Sequence, residues 1–474
     1  MSLFEISEEQ ILDRIRFENP WWVNNRIDDY YQIMKRRLYF WSFSPLVFSE
    51  IKRAVVLMGP RRVGKTVMIF HTIQHLINEG VDPQRIFYLS IETPIFNKMG
   101  IETLFSLCKK AVGKQDDTES FYVFFDEIQY LKDWEIHLKS LVDSYHNVKF
   151  IVSGSAAAAL NLKSNESGAG RFTDFTLPPL TFHEYIHLKD LDNLIIPTKK
   201  LWNGQSFDFF DTVDIHRLNK HFIDYINFGG YPEISLSKEV QSNPSRYIKN
   251  DIIDKVLLRD LPSLYGIQDV QELNSLFTTI AFNSGNEFSH DKLSASSGVS
   301  KSTIKKYIGY LEAAFLIRVV NKIDQSGRKF KRAHSFKIYL TNPSLRSALF
   351  SPINSTARVI GNMVETAIFS QWFHRYWHTP FYARWKNGEV DIVGLKSDNL
   401  KPAWAVEIKW SNRYFERPEE LKSLSSFMTK NDLTRAIVTT IDITREKTID
   451  DKTFDYMASS LYCYTVGRRT LESE

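Results

Sequence analysis

The sequence predicts an α/β protein: a doubly wound parallel sheet with a helical lid, then a small helix-turn-helix element, then a second, smaller α/β unit. Three observations carry that prediction. From Lys52 to Leu180, short apolar runs alternate with amphipathic helical stretches. A glycine-rich turn separates the first apolar run from the helical stretch that follows it. Near the C-terminus a helical stretch precedes two apolar runs that carry acidic residues at strand spacing. A length of 474 residues agrees, at roughly 150 residues per domain.

The strands come first. Ala54–Met58, Ile86–Ile91, Phe121–Phe125 and Phe150–Val152 are apolar on both faces, as a buried parallel sheet requires. Thr66–Glu79 reads as a helix closed by Gly80. Residues 1–50 are aromatic and of mixed charge, ending in a strand-like entry, and form an N-terminal arm. Residues 51–180 are the sheet core. Residues 181–270 look helical, with a break at Gly229-Gly230-Tyr231-Pro232. Residues 271–345 read as helices and a short strand pair. Residues 346–474 hold a helix (Gly361–Tyr376), strands (Val390–Leu395, Trp404–Trp410), a helix (Pro418–Thr429) and a strand (Ala436–Thr440).

Composition excludes several classes. A hydrophobic share of 43% and a charged share of 24% exclude wholesale disorder and collagen-like repeats. Sixty basic residues against 56 acidic ones leave a net charge of +4, which by itself implies no nucleic-acid partner. Cys108 and Cys463 lie far apart, so they read as buried thiols in a reducing compartment, not as a disulfide or zinc framework. Met1–Gln10 is acidic without an apolar signal core, and no run approaches the ~20 apolar residues of a membrane span. The expectation is a cytoplasmic protein with no membrane partner. His374 and His378 read as part of an aromatic cluster with Trp372, Tyr376 and Trp377 and not as a zinc pair. Trp21 and Trp22 stand open between stacking on an adenine ring and anchoring the arm.

Gly59-Pro60-Arg61-Arg62-Val63-Gly64-Lys65-Thr66 matches G-x-x-x-x-G-K-[ST] between a strand and a helix. The glycines let backbone N–H groups close around phosphates, and the helix N-terminus adds its positive end. Lys65 would reach the β- and γ-phosphates of ATP, and the Thr66 hydroxyl would ligate Mg²⁺. Arg61 and Arg62 have either phosphate or a neighbouring subunit to touch. Phe121–Phe125 delivers Asp126 and Glu127 to the C-terminal end of the sheet, where ligands bind in such folds. Asp126 would hold Mg²⁺ and Glu127 would act as general base on the attacking water. Arg171, after Gly168-Ala169-Gly170, reads either as a surface arginine or as a finger reaching the ATP of a neighbouring copy in a homo-oligomer.

These motifs resemble the AAA-type ATPases of bacteria and archaea that carry a C-terminal domain of once unknown function. The matching pieces are Asn-Pro-Trp-Trp (19–22), the glycine-rich 59–66, FFDEIQ (124–129) with Trp134, VSGSA (152–156), GRF (170–172), LPPLTFHEY (177–185) and GGYPE (229–233). The resemblance covers essentially the whole chain. It implies ATP binding and hydrolysis, a helical lid, a winged-helix element and a C-terminal unit. It also implies a polar sensor of the γ-phosphate at the end of the fourth strand, with Ser153 and Ser155 as candidates; a helix N-cap role is the alternative.

Ser289–Leu311 reads as two helices with a turn at Ser297-Gly298-Val299, the second capped by Ser300. Ile304, Ile308 and Leu311 follow helical spacing and leave Lys301, Ser302, Lys305, Lys306 and Tyr310 on other faces. A basic hairpin is expected around Gly327, with Lys322, Arg328, Lys329, Lys331, Arg332 and Lys337. Helix-turn-helix with a basic wing is a DNA-docking layout, although such elements also serve as protein connectors.

Farther on, Asp391, Glu407 and Lys409 follow the Asp-x(n)-Glu-x-Lys skeleton of the PD-(D/E)xK nuclease superfamily. On a strand, Glu407 and Lys409 share a face, and Asp391 on the next strand meets them. Asp391 and Glu407 would bind Mg²⁺, and Lys409 would orient water or steady phosphate charge. Glu365 on the preceding helix matches the extra acidic residue of many such nucleases, and Glu389 is a further candidate ligand. The expected function is an ATP-controlled DNA-processing enzyme, an ATPase with a Mg²⁺-dependent nuclease site. The alternative is a non-nucleolytic ATPase switch that binds DNA or a protein through a degenerate nuclease fold.

Overall fold

The computed structural model describes the chain except residues 1–6, 97–98, 114–119, 156–169, 203–204, 330–334, 374–379 and 473–474. Two compact units result, Met1–Pro178 and Pro179–Glu474.

In the first unit, β1 (Ala54–Met58), β2 (Ile86–Ser90), β3 (Phe121–Asp126), β4 (Val148–Gly154) and β5 (Phe172–Thr176) form one parallel sheet in the order β2-β3-β4-β1-β5. All five residues of β1 are buried, because the sheet is covered on both faces. The turn after β1 opens the helix Lys65–Asn78, whose Met68, Ile69, Ile73 and Leu76 pack inward. The stretch before β1, expected as a strand-like entry, is instead the helix Phe40–Phe48. Phe40, Phe43 and Val47 recur at helical spacing and are buried, and this outweighs the internal Pro45. The phenyl rings of Phe43 and Phe175 meet edge to face at 5.2 Å.

The N-terminal arm closes an edge of this sheet. Edge strand β2 would expose unpaired backbone groups. The Asn19 side chain takes both of Tyr88's: its Oδ1 accepts from Tyr88 N at 2.7 Å, and its Nδ2 donates to Tyr88 O at 2.9 Å. Both tryptophan indoles donate to Ile86 O, Trp21 at 3.0 Å and Trp22 at 2.9 Å. Glu18 Oε2 accepts from Ser90 N at 3.0 Å. Between stacking on adenine and anchoring, the structure gives these tryptophans the anchoring role.

In the second unit, residues 181–270 depart from an all-helical lid. Strands β6 (Ile195–Trp202) and β7 (Gln205–Thr212) make an antiparallel hairpin before the helix Ile215–Phe228. Phe209 and Phe210 of β7 are buried in the unit's main apolar cluster. The break at Gly229–Pro232 stands as expected: Gly229 caps one helix and Pro232 opens the next.

The helix-turn-helix comprises His290–Ser297 and Lys301–Ala313. Gly298 turns between them at φ +75, and Ser300 Oγ accepts from Thr303 N. Around them, β8 (Glu287–Phe288), β9 (Ile317–Val320) and β11 (Phe336–Leu340) form a small antiparallel sheet in the order β8-β11-β9. Between β9 and β11 lies β10 (Lys322–Ile323), which leaves that sheet and joins the next one.

That next sheet has seven strands, in the order β10-β12-β13-β14-β15-β17-β16. Its members are β12 (Phe381–Trp385), β13 (Gly388–Leu395), β14 (Pro402–Glu407), β15 (Arg435–Thr440), β16 (Arg445–Ile449) and β17 (Lys452–Ala458). β12, β13 and β14 are an antiparallel meander, and β15 then runs parallel to β14. Helices Ile360–Trp372 and Ser459–Glu472 feed one apolar cluster with Val406 and Met457. Leu424, Phe427 and Met428 of the helix Lys422–Lys430 feed the other, with Ala405 and Val438.

β9 and β11 pair antiparallel on either side of the expected basic hairpin, but its described turn does not stand free. Gly327 turns at φ +80, but a Cβ there would stand 2.4 Å from Pro402, so the turn is pressed onto the seven-stranded sheet. Gln325 Nε2 donates to Ser426 Oγ, and Asn431 Nδ2 donates to Gln325 O, both at 2.9 Å. Of the six basic residues, Lys337 is buried, Lys322 faces Glu287 at 3.4 Å and Lys329 lies over the Phe381 ring. Arg328 is exposed, and Lys331 and Arg332 lie outside the described residues. The basic stripe disperses because β10 and β11 each serve a sheet.

Candidate nucleotide and carboxylate sites

The cradle 59–66 hangs between β1 and the helix that Gly64 opens. Gly59 must be glycine, since a Cβ there would stand 2.2 Å from Leu177 O, where Leu177 N donates to Met58 O at 2.7 Å. Gly64 sits at φ +93 and Arg62 at φ +64, so the loop alternates left-handed and right-handed backbone around Val63, the arrangement that turns successive N–H groups toward an anion. Val63 is buried, and Arg37 Nη1 donates to Val63 O at 2.8 Å, which pins the loop from beneath. Lys65 Nζ donates to Gly59 O at 3.1 Å and Pro60 O at 2.9 Å, so the ammonium folds over the loop's own carbonyls.

Asp126 ends β3 beside the cradle. Three hydroxyls donate to it: Thr66 Oγ1 to Oδ2 at 2.8 Å, Tyr88 OH to Oδ2 at 3.0 Å, and Ser153 to Oδ1. Burial and the neighbouring Glu127 push its pKa up, and the three donors oppose that rise. Glu127 holds a left-handed backbone, φ 57 and ψ 46, a strained setting for a non-glycine. Gln129 ties the next turn together: its Nε2 donates to the Glu127 carboxylate, and its Oε1 accepts from Ser155 N at 3.1 Å. Ser153 lies within β4, so it is no N-cap. Ser155 Oγ is buried without a partner. Sequence reasoning missed Tyr88 and Arg37, which no motif marks; their roles appear only once β2 and the arm are placed.

Arg171 stands at the other end of the sheet. Arg171 O accepts from Ala54 N, at the start of β1, and the guanidinium meets Asp143 at 3.0 Å on the surface. Gly168 and Ala169 before it, and Ala156 of the 152–156 motif, lie outside the described residues.

In the second unit, the structure brings Glu365, Asp391, Glu407 and Lys409 together. Lys409 Nζ donates to Glu407 Oε1 at 2.7 Å and stands 3.6 Å from Asp391 Oδ2. Ile408 N donates to that same Oδ2 at 2.8 Å. Glu407 Oε2 is buried with no partner. Burial, reinforced by Asp391, pushes the Glu407 carboxyl up to about 8. Burial works against Asp391's charge too, but Lys409, Lys337 and the Ile408 N–H outweigh it and hold its pKa low. Lys337 was placed by sequence in the basic wing. It is instead within 2.8 Å of Glu365, 2.7 Å of Glu389 and 3.7 Å of Asp391. Among the described residues, no three His, Cys, Asp or Glu side chains stand together as a metal cage. His374, His378, Tyr376 and Trp377 lie outside the described residues.

No described helix is long and apolar enough to cross a membrane. Comparison with known proteins finds that residues 51–186 match the model of an AAA domain, and residues 219–356 that of a domain of unknown function. Among the curated relatives is an uncharacterized protein of Haemophilus influenzae, 24% identical over 83% of this chain and 90% of its own length. Another, an uncharacterized protein of Methanocaldococcus jannaschii, is 25% identical over 86% of each chain. With the cradle at 59–66 on a parallel five-stranded sheet, residues 51–186 are an AAA-type P-loop domain.

Proposed function

We propose that the protein binds and hydrolyses ATP in its first unit and cleaves DNA with a magnesium-dependent site in its second. What supports the ATP reading is the placement of Thr66 Oγ1 2.8 Å from Asp126 Oδ2, beside the Lys65 ammonium. These are hard oxygen donors of the kind magnesium prefers, and the left-handed loop backbone suits phosphate. A bound magnesium ion would supply charge to neutralise phosphoryl oxygens. Lys65 would exchange its loop carbonyls for phosphate oxygens. Glu127, fixed by its backbone and Gln129, would take the proton of the attacking water. Ser153 holds Asp126 in place, which leaves Ser155, with its unpartnered hydroxyl, as the better candidate for touching the γ-phosphate. Arg171 lies at the far end of its own sheet, so a finger role would be played on another copy of the chain.

The nuclease reading rests on Asp391 of β13, Glu407 at the end of β14 and Lys409 just beyond that end converging, with one buried Glu407 oxygen unpartnered. That oxygen and Asp391 fit a divalent cation. Lys409 would then be released toward water or the scissile phosphate. The exposed face of Lys301, Lys305 and Lys306 would follow a DNA backbone. One observation favours a second reading, a non-nucleolytic switch: two ammonium groups already stand among the carboxylates.

Two variants separate these. Glu127→Gln should keep ATP binding and slow hydrolysis by about 10²–10⁴-fold, measured as phosphate release. Asp391→Ala should abolish magnesium-dependent DNA cleavage and spare ATP turnover. Absence of cleavage of duplex, branched or single-stranded DNA by the wild type, with and without ATP, would leave the switch reading.

A further inference from the structure

Lys337 occupies an unusual place for a lysine. It sits on β11, the central strand of the small sheet, paired across to Glu287 of β8 and Val320 of β9. Its side chain is 4% exposed and runs over the Tyr382 ring, 5.4 Å from the centroid. The ammonium reaches three carboxylates on two backbone segments: Glu365 on a helix, and Glu389 and Asp391 on β13. A buried ammonium without such partners would be strongly disfavoured.

The carboxylate site therefore has two sides. Asp391 stands between them. Its Oδ1 faces Lys337, and its Oδ2 faces Lys409 and Ile408 N. On the Lys409 side, Glu407 offers a buried, unpartnered oxygen. On the Lys337 side, Tyr339 OH donates to Glu365 Oε1 at 2.5 Å, and Arg384 Nη1 meets Glu389 Oε2 at 2.9 Å. That side is charge-balanced by the protein itself. Phosphodiester-cleaving sites often use two metal ions about 3.5–4 Å apart. Glu365, Glu389 and Asp391 form no metal cage as they stand, and a second ion drawn among them would have to take the place of Lys337 Nζ, which two cations cannot share.

We infer that Lys337 is a tethered cation in the second-metal position of this site, which restricts the site to one divalent ion, held between Asp391 and Glu407. This rests on the metal-dependent reading of the site given above. The strand that carries Lys337 belongs to the small sheet of the helix-turn-helix region, so that region completes the carboxylate site instead of merely preceding it.

The test is anomalous diffraction from crystals of the nucleotide-free, full-length protein grown in Mn²⁺. The wild type should show one manganese peak in the second unit, between Asp391 and Glu407. Lys337→Met should add a second peak among Glu365, Glu389 and Asp391. Should Lys337→Met fail to fold, Lys337→Met with Glu389→Gln, which removes one uncompensated charge, should show the added peak between Glu365 and Asp391. Two peaks in the wild type would overturn the inference and leave the metal-dependent reading standing, as would a single peak in both proteins. No peak in either would overturn both.

Discussion

Lys65 shows how far a single residue can be read. The motif marks it, and the structure shows its ammonium held by Gly59 and Pro60 carbonyls, ready to trade them for phosphate oxygens. A hydrogen bond to a charged group is worth about 1.5–3 kcal/mol, so Lys65→Ala should weaken ATP binding by roughly ten- to a hundredfold in calorimetry. His183 carries a pH prediction. Burial, with Arg468 and His187 adding to it, lowers its pKa to about 3, and its Nδ1 has no partner. Its ordinary value is near 6.5, so the folded state excludes the charged form. The fold therefore keeps the full benefit of neutral His183 above about pH 6.5 and loses it as pH falls toward about 3. Melting temperatures from pH 7.5 to 4.5 should fall more steeply for the wild type than for His183→Gln. Over that range the accumulated difference in stability should be on the order of 2 kcal/mol. Asp391, Glu407 and Lys409 were legible from their spacing in the sequence, although β14 ends at Glu407 and Lys409 follows just beyond it. Lys337 was not: its neighbours come from strand pairings and a helix far along the chain, while its local sequence is only a basic stretch.

At the scale of elements, apolar runs located four of the five parallel strands, because strands buried on both faces need a continuous apolar sequence, whereas edge strand β5, Phe172–Thr176, is part polar and only partly buried. The hairpin β6–β7 escaped notice. An Asn203-Gly204 pair in the sequence between two β-rich runs was its signal, since that dipeptide favours tight hairpin turns. The arm's role escaped too, since hydrogen bonds from Asn19 and two indoles to an edge strand leave no periodic trace. Its contribution is measurable. Asn19→Ala would leave the Tyr88 N–H and C=O without partners in a buried place. Each such loss costs about 1–3 kcal/mol. Denaturant unfolding of Asn19→Ala should show a loss of that order or above, and light scattering should show association through the uncovered edge of β2.

At the scale of the whole molecule, the sequence suggests separate pieces at 181–270, 271–345 and 346–474. The structure gathers all three into the unit Pro179–Glu474. Ile323 of β10 belongs to the apolar cluster of the seven-stranded sheet, and Phe222 and Tyr225 share the other cluster with Met363 and Leu461. A fragment of residues 179–474 should therefore give one cooperative thermal transition in circular dichroism. A fragment of residues 346–474 should give none, having lost an edge strand and the Lys337 counter-charge. Beginning the smaller fragment at residue 321, so that β10 and β11 are restored, should recover part of the transition.

The two-residue strand β10 has a mechanical consequence. Lys322 and Ile323 pair in register with Tyr382 and Ala383, so the chain leaving the helix-turn-helix is stitched into the sheet beside the carboxylates. A pull or twist on those helices would pass through β9 and β10 to β12. Whatever grips Lys301–Ala313 would act on a chain that pairs two strands away from the one carrying Asp391.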